Sequence, residues 1–465
     1  MRRRVRDART RLEQISRTAT LGGLFLSFFK IGLVGFGGGL AVIAQVRALA
    51  VRKRRWLTDA EFAEGFALAQ SLPGTSAGNA VTYIGLRLRG WRGACAAMAG
   101  FILPSMLMMV TLAILYRHLR ALPDTDRIFH GLNAAVVALI LVTAWRMGRN
   151  ILTKRWQWLI ALLAFLAVAL LHATVIEVVL TAGLIGICVD SFAEKQLQRL
   201  WRLPTLASRR RARIRTRMTT QRRARGRHEF IGGYLTRALA EERVRQVEGD
   251  GHAGDEHVAD ELEESSQQNP DTRLRSIAVF ALAMPVLAKL GLLLTLAIIF
   301  LRVGAITFGG GFVMIPQIES EVVNTNHWLT HQEFADATAL GQITPGPVLI
   351  TATFVGYRVA GTLGALVATV SVFVPAFLMT IAAASSLKRF RTNQQVQSFL
   401  RGIAPAVVGL LVAAALSIGR AGIHTWIGIT ITVVAVVVLV RFRPNAFWLI
   451  LGAGVIRFLL GLILW

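Results

Sequence analysis

The chain has little of what a soluble enzyme or a secreted domain is built from. Only two cysteines occur in 465 residues, Cys95 and Cys188, and both stand in apolar runs. A disulfide framework and a cysteine-based metal site are thereby excluded, and a buried structural role is the expectation for both thiols. Acidic residues are scarce, 26 Asp and Glu against 52 Lys and Arg, for a formal charge of +26. There is no nucleophile–base triad, no phosphate-cradling lysine loop and no carboxylate pair, so neither an enzyme nor a cofactor is expected. The glycine runs lack the strand context of a dinucleotide fingerprint. Polar surface is short as well: 54% of residues are hydrophobic and the mean hydropathy is +0.54, too apolar for a soluble chain of this length.

What is present is a series of apolar runs near the ~20 residues that cross a ~30 Å hydrocarbon core. They cover residues 21–46, 93–115, 132–145, 158–171 and 175–189, with partners in the second half. The expected fold class is an all-α polytopic membrane protein embedded in a lipid bilayer. In such a protein Lys and Arg mark loops kept on the cytoplasmic side, so the positive charge is not a nucleic-acid signal and no nucleic-acid partner is expected. Residues 1–20 read as a basic cytoplasmic tail before a retained first span.

The chain also repeats itself. KIGLVGFGGGLAVIAQ begins at Lys30 and RVGAITFGGGFVMIPQ at Arg302, a constant offset of 272 that holds through Gly74 onto Gly346. One residue then drops out, and an offset of 271 carries Arg87 onto Arg358, Pro104 onto Pro375 and Gly183 onto Gly454. The boundaries are a first repeat at 21–190, a charged linker at 191–275, an extra apolar segment at 276–293 and a second repeat at 294–465. The linker carries an arginine block (209–227) and then an acidic one (248–264); such blocks bury too little apolar surface to fold alone. It is expected to be cytoplasmic and mostly disordered, with a short helix near 235–247. About six spans per repeat are expected, 12–13 in all. Residues 277–290 have no counterpart in the first repeat, and if they cross, the second repeat is inverted. The positive-inside rule favours inversion: inward loops would hold Lys388, Arg389, Arg391, Arg401, Arg441 and Arg443, outward ones only Arg358 and Arg420. Against it stand Arg52, Lys53, Arg54 and Arg55, placed outside unless the first or second segment is re-entrant.

Paired broken segments are the best sequence pointer to a transporter's substrate site. The glycine runs Gly37-Gly38-Gly39 and Gly309-Gly310-Gly311 read either as close packing or as a backbone-lined anion pocket. Their occurrence in register, each followed by Gln45 or Gln317, favours the pocket. The segments from Gln70 through Pro73, Gly74, Thr75 and Ser76 to Asn79, and from Gln342 through Thr344 to Pro345 and Gly346, read as pairs of half-helices. The second half-helix of each pair offers unpaired N–H groups to an oxyanion. Lys30 and Arg302 occupy equivalent apolar positions, either facing a cavity or snorkelling to an interface. Arg87 and Arg358 would gate or anchor. Glu61 and Glu333 are either proton-linked or, the favoured reading, capping-box residues. His327 and His331 have helical spacing but no compelling third ligand, so no metal is expected.

At these residues the chain resembles the chromate ion transporter family in its long-chain, two-domain form. The carriers are Phe36-Gly37-Gly38-Gly39, Arg54-Arg55-Trp56-Leu57 and Leu72-Pro73-Gly74, then Phe308-Gly309-Gly310-Gly311, Glu321-Val322-Val323 and Pro345-Gly346-Pro347. The resemblance implies an inner-membrane carrier with antiparallel halves, typically exporting chromate. Gly39 and Thr75 replace the prolines usual in that family's first copy, which keeps sulfate or another tetrahedral oxyanion as an alternative substrate. An anion channel or a membrane scaffold recruiting a partner through the basic linker is the alternative from a different class. A homodimer is a further partner to be considered.

Overall fold

The structure is a computed structural model that describes residues 19–36, 39–120, 122, 124–171, 173–202, 270–307, 311, 314–385, 394–442 and 444–463; the side chains of 40, 192–202 and 270–286 are outside the description. The described residues up to 190 and from 287 onward belong to one compact unit. The basic tail, the arginine and acidic blocks and the expected helix at 235–247 lie outside the described residues.

Every described element is helical, and glycine, proline and threonine set the boundaries. The first repeat contains α1 (Leu21–Val34), α2 (Gly39–Arg47, continued by a π-helical turn Ala48–Lys53), α3 (Asp59–Ser71), α4 (Ser76–Leu119), α5 (Thr125–Ile151), α6 (Arg155–Ala169) and α7 (Val175–Arg202). The second contains α8 (Pro270–Ile306), α9 (Met314–Glu319, continued by a π-helical turn Ser320–Thr325), α10 (His331–Ile343), a 3-10 turn Val348–Ile350, α11 (Thr351–Ser385), α12 (Gln394–Gly422), α13 (Trp426–Arg441) and α14 (Ala446–Ile463). Thr58 and Thr330 cap α3 and α10, with Glu61 and Glu333 closing complete capping boxes. The favoured reading of both carboxylates is thus what the fold displays. α4 kinks at Arg89-Gly90 and α11 at Ala360-Gly361, where each glycine supplies a positive φ, +61° and +67°, that a side chain would resist.

The run 21–46 was expected as one long span, and the structure divides it. α1 has 14 residues, about 21 Å, and falls short of a ~30 Å core. The chain then doubles back. Arg89 Nε donates to the Ala19 carbonyl at 2.5 Å, Arg47 pairs with Asp59 at 2.7 Å, and Arg87 lies 3.9 Å from Glu61. Residues 19, 47–61 and 87–90 therefore gather at one end. α1–α2 and α3–α4 are two re-entrant hairpins whose tips, after Gly35 and at Pro73-Gly74, lie inside. Glycines at the break offer neither propensity nor packing to carry a helix through. Re-entry also leaves Arg52 to Arg55 at the end where α1 begins, which removes the objection to inversion.

Beyond its kink α4 runs to the far end. There Tyr116 and Arg120 bond Asp336 on α10, close to where the second repeat's own end is marked by Arg358 with Glu333 and His331 with Glu319. The second repeat's outer end thus meets the first repeat's far end, and the two run antiparallel. Close glycine contacts recur in register: Gly32 lies against the Phe101 carbonyl and Gly304 against that of Val372; Gly131 on α5 abuts Ala453 and Gly454 on α14, and Gly402 on α12 abuts Ala182 and Gly186 on α7. Each repeat thus packs into the other through small residues, which do for helices in lipid what apolar burial does in water. The largest core cluster draws on both repeats, including Met109, Phe300, Phe334 and Phe354.

Six helices among the described residues are long and apolar enough to cross a membrane, and α1, α6 and α13 are shorter apolar helices. The extra apolar segment at 276–293 is continuous with α8. Cys95 and Cys188 are exposed free thiols, contrary to the expected burial. In a multi-pass chain an apolar run turns one face outward to lipid, so apolar context does not imply burial in protein.

Candidate functional site

The two Pro-Gly tips cross over to the other repeat. Gly74 N–H donates to the Thr307 carbonyl at 2.5 Å, and Gly346 N–H donates to the Gly35 carbonyl at 3.1 Å. The offset of 272 relates Gly35 to Thr307 and Gly74 to Gly346, so each bond is the pseudo-symmetric copy of the other. Both glycines have positive φ, +94° and +112°. A Cβ on Gly74 would overlap that of Ala376, and one on Gly346 would overlap Ser105 Oγ. Positions 105 and 376 are themselves equivalent. These two N–H groups were expected to be free for an anion; here they are taken by the opposite repeat.

The neighbouring polar side chains stabilise the breaks. Thr75 accepts from Gly78 N–H at 3.1 Å. Asn79 donates to the carbonyls of Ala69 and Pro73 at 3.2 and 2.8 Å, and Thr344 donates to the Leu340 carbonyl at 2.8 Å. Ser76 opens α4 and Pro345 is buried beside Gly346. In the second repeat the half-helix start at Pro347 has no side-chain cap. Gly311 (φ +96°) lies against this region, with Thr75 Cγ2 3.5 Å from the place its Cβ would occupy. Gly39 is the first residue of α2, whereas Gly37, Gly38, Gly309 and Gly310 lie outside the described residues. Several buried polar atoms have no protein partner: Asn79 Oδ1, Ser105 Oγ, both amide atoms of Gln317 and Gln342 Nε2. Buried polar groups without partners are costly.

A cationic groove of ≈ 320 Å³ opens between α1 and α2. Its polar lining is Ser27, Lys30, Gln45, Lys53 and Arg54, and no carboxylate lines it. Lys53 and Arg54 lie at the end where α1 begins, and Lys30 is about 14 Å further in along α1. Lys30 and Gln45, singled out separately in the sequence, line this groove together. The sequence did not reveal Lys53 and Arg54, whose contribution depends on α2 folding back. Arg302 is exposed on α8 and does not line this groove. Its repeat lacks the cations, since Thr325 and Asn326 occupy the positions equivalent to Lys53 and Arg54. Gln70 is exposed near the end of α3.

A second arrangement gave no signal in the sequence. Asp336 is fully buried. Its Oδ2 accepts from Tyr116 Oη at 2.9 Å and from Arg120, and its Oδ1 from Asn133 and Gln332 at 2.8 and 3.3 Å. Arg120 also pairs with Asp126 and lies over the rings of Tyr116 and Phe129 at 5.6 and 5.4 Å. Burial works against the Arg120 charge, but Asp336 outweighs it and raises the guanidinium's hold on its proton. Tyr116, Arg120 and Gln332 of this network line a ≈ 460 Å³ cavity together with Arg117, Glu333 and Arg358, whereas Asp336 itself does not. The equivalent of Asp336 in the first repeat is Glu64, which is exposed, so the duplication alone does not mark the position. Among the described residues no three His, Cys, Asp or Glu side chains are grouped to hold a metal.

Comparison with known proteins agrees with the doubled architecture. The chromate transporter family profile matches residues 22–187 and again 294–458. A probable chromate transport protein of Synechococcus elongatus is 29% identical over 85% of this chain and 84% of its own. The chromate transport protein of Cupriavidus metallidurans is 26% identical over 92% and 89%. An uncharacterized transporter of Methanocaldococcus jannaschii is 31% identical over 88% and 86%. No solved structure matches. With both halves matched, and with the antiparallel pair of broken-hairpin repeats laid out above, the chain belongs to the chromate transporter family.

Proposed function

We propose that this protein is a secondary transporter of a tetrahedral oxyanion, chromate, which it carries out of the cell across the cytoplasmic membrane, so conferring chromate resistance. The observation that carries this reading is the groove lined by Lys30, Lys53 and Arg54 with no carboxylate. A dianion leaving water needs its charge compensated, and three cations along one passage attract it and offset part of its desolvation. Gln45 and Ser27 add neutral donors. Relatives named as chromate transport proteins support the choice of ion.

In this reading the orientation in the membrane comes from charge. Arg52, Lys53, Arg54, Arg55, Arg87 and Arg89 cluster where the first hairpins begin and end, and the positive-inside rule makes that end cytoplasmic. The groove then opens to the cytoplasm, and the Arg117, Arg120 and Arg358 cavity lies toward the outside. Passage between them requires the reciprocal Gly74–Thr307 and Gly346–Gly35 bonds to exchange, which frees their N–H groups for the anion during transfer. Glu61 with Arg87 and Glu333 with Arg358 anchor the outer ends of the moving hairpins.

Purified protein in sealed liposomes tests the proposal. Chromate should accumulate at a saturable rate well above that of empty liposomes, and excess sulfate, of the same charge and shape, should compete more weakly than unlabelled chromate. Accumulation no faster than in empty liposomes contradicts the proposal, and stronger competition by sulfate would reassign the substrate.

A further inference from the structure

Equivalent positions in the two repeats hold an exchanged pair. In the first, Arg47 on α2 meets Asp59 at the start of α3, and both side chains are well exposed, 52% and 68%. The offset of 272 carries Arg47 onto Glu319 and Asp59 onto His331. The contact is preserved with its sense reversed: His331 Nδ1 is 3.0 Å from Glu319 Oε1, and the Ser417 hydroxyl donates to the same oxygen at 2.5 Å. The carboxylate end is now inside, 6% exposed, while the imidazole is 53% exposed.

Both side chains line a cavity of ≈ 1100 Å³ whose other charged or titratable members are His327, Glu333 and Arg420. Glu333 is already held by Arg358 and Thr330. α6 and the loop at 173–174 add no charge to the lining, and Glu321 on the turn after α9 is not part of it. Arginine keeps its charge throughout, so the Arg47–Asp59 pair is permanent. Imidazole is the side chain whose charge changes between about pH 5 and 8. The second repeat therefore holds an imidazole and a buried carboxylate where the first repeat holds an arginine and an exposed carboxylate.

We propose that Glu319 and His331 form a proton-binding site of the second repeat, reached from water through this cavity and loaded and unloaded during the transport cycle. In loading, hydronium in the cavity transfers one proton to the imidazole and leaves as water, giving carboxylate with imidazolium. In unloading, the proton returns to water, and the carboxylate keeps the Ser417 hydrogen bond and a neutral imidazole. The loaded site ties α9 to the start of α10 by an ion pair, as Arg47 ties α2 to α3; the unloaded site holds that hairpin only by a hydrogen bond to neutral imidazole. One hairpin pair is thereby pinned while its counterpart responds to the proton gradient. The site's place in a transport cycle rests on the function proposed above, whereas proton binding itself does not.

Two measurements separate those dependencies. The first is the infrared difference spectrum of the purified full-length protein, without chromate, between about pH 8 and pH 5.5. It should contain imidazole and carboxylate signals that disappear together in His331→Gln and are altered in Glu319→Gln. Spectra identical to wild type in both variants overturn the site. The second is the pH profile of chromate flux in liposomes. Expressed per concentration of the chromate dianion, which itself protonates within this window, flux should vary severalfold in wild type and be flat in Glu319→Arg with His331→Asp, which installs the first-repeat pair. His331→Arg, which keeps Glu319 paired in place, should be equally flat if the double variant does not fold. A variant that retains the wild-type pH profile overturns the proposal. Absence of chromate flux in wild type would refute the transport reading and leave the infrared result to decide the site.

Discussion

Replacing Asp336 by alanine should destabilise the protein by about 3–5 kcal/mol, the range found when one member of a buried charged pair is removed. Four donors, Tyr116, Arg120, Asn133 and Gln332, would lose this acceptor at once. Arg120, only 26% exposed in its side chain, would be left with Asp126 and the Tyr116 hydroxyl; Tyr116 Oη would keep only that contact with Arg120; and Asn133 Nδ2 would be buried without a bond. Asp336→Asn should cost less, because an amide still accepts from Tyr116 and Arg120 even though it lacks the charge. Thermal unfolding of the detergent-solubilised variants would order them wild type, Asn, Ala. Equal melting of wild type and Asp336→Ala would remove this network from the account of how the repeats are held together.

The second large effect concerns the crossing tips. Gly346→Ala adds a side chain at φ +112° and drives its Cβ into Ser105 Oγ, so the Gly346–Gly35 bond must open. Gly90 separates the two contributions. It too has positive φ, +61°, but nothing lies within 4 Å of an added Cβ. Gly90→Ala should therefore cost only the backbone term, about 1–3 kcal/mol, and retain flux. Gly346→Ala should cost more and abolish chromate flux. Adding Ser105→Gly should restore part of the loss, because that hydroxyl has no partner to sacrifice and its removal relieves the overlap. Flux and melting of Gly346→Ala indistinguishable from those of Gly90→Ala would mean that the tips do not meet as described.

The duplication and the places where helices break were legible because glycine, proline and threonine act locally. Thr58 with Glu61, and Pro73 with Gly74, stop or start a helix whatever surrounds them. The return of α1–α2 was legible only as the alternative that Arg52 to Arg55 called for, not from the run itself. A run of residues 21–46 is long enough for one crossing, and what turns it back is a set of contacts at its far ends, Arg47 to Asp59 and Arg89 to the Ala19 carbonyl. The same limit hid Asp336, whose partners Tyr116 and Asn133 are 220 and 203 residues away. It also made Lys30 and Arg302 look alike. Their equivalence is real in register, but a groove forms around Lys30 because Lys53 and Arg54 fold back beside it, and the second repeat has no cations there to do the same.

The account depends most on an anion being held between the arms of the first hairpin. Initial chromate flux in liposomes, measured for wild type, Lys30→Arg and Lys30→Gln at matched protein incorporation, addresses this directly. The groove predicts that Lys30→Arg keeps most of the flux, while Lys30→Gln loses most of it through a raised KM, with both variants melting like wild type. Lys30→Gln transporting chromate with wild-type KM and rate would contradict it.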